Sequence, residues 1–144
     1  MNKKGFTLIE LLAVIVILAI IALIATPVVL NIIEDSKESA AKDSAMVISK
    51  AAETYYMSQT TSGVTEVTEI DLKDDIIKYK GEKPEKGYIT FDNKGNAYLK
   101  MYMNGYCVES NYDNTVTSEK TTNEDCLLPN DIPPEPFEDV PECK

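Results

Sequence analysis

A chain of 144 residues is long enough for one ordinary domain and too short for two. Its 14 basic residues are all lysine and face 24 acids, a formal net charge of −10, and a surface of that sign repels the phosphate backbone that nucleic-acid binders meet with clustered Lys and Arg. With no His, and three Cys (Cys107, Cys126, Cys143) without a C-x-x-C pair, the common zinc ligand sets and the His-based nucleophile pairs are missing. No catalytic residue, metal or cofactor is therefore expected, and no direct binding of nucleic acid by the chain alone.

The apolar weight is gathered at one end. Leu11 to Ala25 is an unbroken apolar run, and nothing comparable follows. Three readings of this end compete. A secretory signal peptide would have the basic start of Lys3 and Lys4, but no convincing A-x-A site follows the run. A plain anchor fits the length, since residues 6–30 are enough to cross a bilayer that needs about 20, with Lys3 and Lys4 holding the N-terminus inside. Neither explains Glu10, a carboxylate at the head of an apolar stretch, where insertion scales put its cost at roughly 2.5–3.5 kcal/mol.

The third reading accounts for it. Lys3-Lys4-Gly5 followed by Phe6-Thr7-Leu8-Ile9-Glu10 resembles the class III signal of type IV pilins and type II secretion pseudopilins. The resemblance implies that residues 1–5 are a leader, that a prepilin peptidase cuts between Gly5 and Phe6, and that Phe6 is then N-methylated. Glu10 would become the fifth residue of the mature chain, and Pro27 falls at the position where the family tends to have a proline. In the family this carboxylate pairs with the N-terminal amine of a neighbouring subunit, a partner that no side chain of the segment is expected to replace. Loss of Lys3 and Lys4 would leave 12 lysines against 24 acids, or −12.

Beyond the run the chain changes character. Residues 31–59 mix charges with Ala41, Ala45, Ile48, Ala52 and Tyr55, whose steps of four and three lay one stripe along a helix. No Gly or Pro interrupts residues 28–62, so one helix from about Thr7 to Gln59, roughly 80 Å long at 1.5 Å per residue, is expected to run through Pro27 and stop at Gly63. Pro27 would be its weak point, lacking the donor for the carbonyl near Leu23. Residues 60–68 form a polar connection; the apolar spacing of Ile70 to Tyr79 suits either a short helix around residues 71–78, the one expected, or an extended segment. The loop 80–86 precedes alternating Tyr88–Asp92, the turn Asn93-Lys94-Gly95-Asn96, an extended run Ala97–Met103, the hairpin signal Asn104-Gly105, and a third strand from Tyr106. A further short strand is expected around Thr115–Thr117. The acidic turn at Asp92 lacks the ligand spacing of a calcium loop and reads as turn chemistry.

The fold class expected is α+β and pilin-like: a long N-terminal α-helix, apolar in its first half, packed on a small antiparallel sheet. Its parts are the leader 1–5, a membrane or filament-core helix 6–30, an amphipathic helix 31–59, a head 60–128 and a Pro-rich acidic tail 129–144, which is either an extended strap over the head or disordered. Pilins often tie their C-terminal region with a disulfide. By that resemblance Cys107–Cys126 is the first pairing expected, ahead of Cys126–Cys143 and of three free thiols. The work implied is structural: a single-pass precursor in the cytoplasmic membrane, N-terminus inside, cut and polymerised into a helical filament of its own copies at the cell surface. Its implied partners are the prepilin peptidase, a membrane platform protein and an assembly ATPase, since the chain has no Walker A motif of its own. A competence or type II secretion pseudopilin is the alternative within the family. An uncut, membrane-tethered extracellular binding module, keeping Lys3 and Lys4, is the alternative outside it.

Overall fold

The computed structural model describes residues 5–63 and 69–127; Lys3, Lys4, Cys143 and the five prolines of the tail lie outside them. The chain divides into two units, 1–37 and 38–144, each taken by itself here. The helix expected from the apolar run and the stripe is a single element, α1 (Leu8–Thr61), with Pro27 inside it. It stops as the sequence indicates. Gly63 takes a φ of 89°, open to a residue without Cβ, and its N–H donates to the Thr60 carbonyl at 3.1 Å.

The second unit joins the later part of α1 to a five-stranded antiparallel sheet. Its strands are β1 (Glu69–Asp71), β2 (Lys86–Phe91), β3 (Ala97–Met103), β4 (Tyr106–Ser110) and β5 (Val116–Lys120), lying in chain order. Short connections join β2 to β3, β3 to β4 and β4 to β5, and a longer one, residues 72–85, joins β1 to β2, so the strands stay in chain order. Asn104 and Gly105, both at positive φ (56° and 89°), make the β3–β4 turn whose twist matches that of the strands. Between β2 and β3 the Asp92 carboxylate accepts from the Lys94 and Asn96 N–H groups at 2.9 and 2.7 Å and from the Asn96 amide, so it is spent on the turn.

The stripe on α1 and one face of the sheet make the core. Ala41, Ala45, Ile48 and Ala52 are fully buried against Ile89, Leu99, Met101 and Val108, with Tyr55 partly buried beside them. Three alanines make up most of that stripe, and Ile48 is its one large fully buried side chain. At the margin, Ser118 Oγ of β5 donates to Glu38 Oε1 at 2.7 Å, and Lys42 Nζ meets the same oxygen at 2.8 Å. The Lys42 ammonium, with the Ser118 hydroxyl, holds the Glu38 carboxyl below its usual range.

One expected element is replaced. The helix expected around residues 71–78 is absent; the segment forms β1, then a single 3-10 turn, Leu72–Asp74. The Asp71 carboxylate accepts the Lys73 N–H at 2.9 Å, and Asp75 leaves the turn at a φ of 55°, so local side-chain bonding stops the turn before a helix can propagate. Ile70 pairs with Ile89 and both it and Ile77 are buried, while Ile76 stays exposed. The further strand is longer than expected, five residues at 116–120, and a short helix, α2 (Asn123–Cys126), follows it with Thr122 as its cap.

α2 delivers Cys126 to Cys107, and the two form a disulfide, the first of the pairings the sequence allows. Both sulfurs are buried, and the bond ties the end of the described chain to β4 across 19 residues. Replacing both with Ala is expected to lower stability by about 3 kcal/mol in the chain-entropy account. The check is urea unfolding of the detergent-solubilised chain with and without reductant: wild type under reduction should fall to the double variant's midpoint.

Candidate assembly site

The start of α1 places the residues singled out from the sequence within one turn. Gly5 and Phe6 precede the helix; Thr7 is its N-cap and Glu10 lies three residues on. The two close a reciprocal capping box. Thr7 N–H and Thr7 Oγ1 both donate to Glu10 Oε2, at 2.9 and 2.7 Å, while Glu10 N–H reaches back to Thr7 Oγ1 at 3.4 Å. Thr7 thus gives the carboxylate a neutral hydrogen-bonding partner within the segment, without supplying the positive charge that an amine would. Its signal, Thr-x-x-Glu before an apolar run, stands in the sequence inside the processing motif. Both bonds fall on Oε2, and Oε1 takes none among the described residues. The box fixes where the carboxylate sits, one residue beyond the bond between Gly5 and Phe6, and leaves one oxygen for a further donor.

Pro27 sits inside the helix and cannot donate to the Leu23 carbonyl. Beside it the Thr26 hydroxyl donates to the Ala22 carbonyl at 2.7 Å, a local bond of the kind that bends a helix. Around these residues the first unit is bare. Phe6 is 86% exposed, and every large apolar side chain from Leu8 to Ile33 stands open to the surroundings. The helix is long and apolar enough to cross a membrane, with a mean hydropathy of 3.2 in its strongest window. A helix apolar all round needs lipid or other helices on all its sides.

A family model described as the prokaryotic N-terminal methylation motif matches residues 1–26. The chain carries a prepilin signal. It is the signal of type IV pilins and pseudopilins, and it runs from the lysines at the start of the sequence through the capping box to the end of the apolar run. No curated protein and no solved structure matches the chain. The prepilin signal thus joins an α+β arrangement of the pilin kind, a long N-terminal helix followed by a five-stranded antiparallel sheet. Of the residues expected to act at this prepilin end, Phe6 lies just before the helix and Glu10 in its first turn. Pro27 lies apart along the helix, and the Cys107–Cys126 bond belongs to the second unit.

Proposed function

We propose that this prepilin is a structural subunit, cut between Gly5 and Phe6, N-methylated at Phe6 and polymerised into a type IV pilus-like filament. One observation carries the reading. A carboxylate held by Thr7 at the tip of an otherwise apolar helix keeps an oxygen available beside the place where cleavage would create an amine. That amine on a neighbouring copy would complete the pair, and an unpaired charge in an apolar fibre core would favour the one register in which it is met. The partners follow: a prepilin peptidase, other copies of this chain, and an assembly ATPase with its platform protein in the membrane. Before assembly the helix would rest in the cytoplasmic membrane with the acidic head outside. Intact-mass and N-terminal peptide analysis of protein from its native host tests this. The expected mature chain begins at N-methylated Phe6; one beginning at Met1, or cut near Ala25, overturns the reading.

A further inference from the structure

The turn between β3 and β4 carries chemistry that the fold does not use. Asn104 is the only Asn or Asp of the sequence that is followed by Gly. A backbone nitrogen can attack the side-chain amide of the asparagine before it, and a glycine has no side chain to obstruct that approach. Asn31, Asn93, Asn96, Asn111, Asn114 and Asn123 are each followed by a residue with a Cβ.

The structure leaves both reacting groups available. The Gly105 N–H has no acceptor among the described residues. A Cβ added at Gly105 would meet nothing within 4 Å, so the space around it is open. The Asn104 side chain is half-buried, and among the described residues its amide has one contact, a donation to Glu82 Oε2 at 3.5 Å. The other side-chain amides near turns are held more closely: that of Asn96 donates to Asp92 at 2.7 Å and that of Asn111 to Thr115 at 3.3 Å.

We propose that Asn104 is a site of spontaneous deamidation, and that the change loosens this end of the sheet as the protein ages. The Gly105 nitrogen gives its proton to water and bonds to Asn104 Cγ. The Cγ–Nδ2 bond then breaks, and ammonia leaves with a proton taken from water. One water opens the resulting succinimide by breaking a ring C–N bond, leaving an aspartyl or isoaspartyl residue. The balance is amide plus water giving acid plus ammonia, with no oxidant or cofactor. Ring closure takes a rotation of the Asn104 peptide out of its left-handed conformation, and exposed hairpin tips open locally at small cost.

Two consequences are particular to this fold. The new carboxylate replaces an amide that faces Glu82, turning an attraction into a repulsion of like charges. Isoaspartate also puts an extra methylene into the backbone of a two-residue turn whose geometry matches the twist of β3 and β4. The Gly105 carbonyl would then lose the Thr121 N–H that it accepts at 3.3 Å, the tie between this turn and the end of β5. The Cys107–Cys126 bond holds β4 beyond the tip, so the loosening stays at the turn and at β5. None of this depends on processing at Gly5.

Incubation of the full chain in detergent, at neutral pH and physiological temperature over days, tests it. Peptide mapping with electron-transfer fragmentation, which separates isoaspartate from aspartate, reads each asparagine. The comparisons are the same chain unfolded in urea with its disulfide reduced, and Asn104→Gly, which keeps a turn of the same type. Conversion is expected at Asn104 in the folded chain, within an order of magnitude of its rate in urea, while Asn93, Asn96 and Asn114 stay intact. Hydrogen exchange of the aged chain should then quicken several-fold at residues 103–106 and 116–121, and not in Asn104→Gly aged alongside. Conversion in urea alone overturns the proposal, because the turn then protects Asn104. Equal conversion at the other asparagines overturns it too, as does an aged chain whose exchange matches that of fresh protein.

Discussion

Glu10→Gln is expected to leave cleavage and methylation intact and to cut filament yield by about a hundredfold. The choice of glutamine matters because of the capping box. Gln occupies the third helical position of such boxes as well as Glu does, so Thr7 keeps its partner and the helix its start. What Gln removes is the charge. In an apolar fibre core the neighbouring amine would then be buried without its counterion, and stripping one partner from such a pair costs about 3–5 kcal/mol, at least two decades in an equilibrium. Thr7→Val is the control. It removes the cap, worth about 1 kcal/mol, and spares the charge, so its filaments should be only modestly depleted. Processing is scored by the N-terminal peptide and assembly by the sheared filament fraction. If Thr7→Val assembles as poorly as Glu10→Gln, or if Glu10→Gln assembles normally, Glu10 is a helix cap and nothing more.

The second large effect lies in the head. Leu99→Ala removes a fully buried side chain from the middle strand, where it pairs with Ile89 and Ser110 and belongs to the cluster that includes Ile48 of α1. A substitution of this kind costs about 2–5 kcal/mol, which in a domain of this size lowers the melting midpoint by about 10–20 °C. Native domains hold only about 5–15 kcal/mol in total, so the variant should be largely unfolded well below the wild-type midpoint. Met57→Ala, at an exposed position on the same helix as Ile48, should shift stability by no more than about 0.5 kcal/mol. Thermal melts of both in the same detergent make the comparison. Equal shifts would mean that the inner face of the sheet is not the core of the head.

The disulfide acts where the sheet itself has little to hold it. The Cys107–Cys126 bond fastens the chain just after β5 and α2, an edge with one short strand and few apolar side chains. Covalent closure there does what burial cannot do at an edge exposed to water.

The long helix, the residues on its buried stripe, the β2–β3–β4 meander and both of its turns were legible in the sequence. Each rests on a local rule: apolar period, freedom from Gly and Pro, or the φ demands of Asn104-Gly105. The prepilin signal was legible for the same reason, because it is a contiguous string whose chemistry does not wait on folding. The 71–78 segment was not. Its apolar spacing suits a helix or a strand, and only Ile89 across the sheet, together with the Asp71 side chain bonding its own backbone, settled the choice. The sequence by itself determined which stretch of the chain is apolar, that a prepilin signal opens it, and which residues of α1 turn inward. Tertiary structure decided which of the expected pairings Cys107 makes, the one with Cys126, and that Ile70 lies in a strand opposite Ile89. These are contacts between residues far apart in the chain, and no local period encodes them.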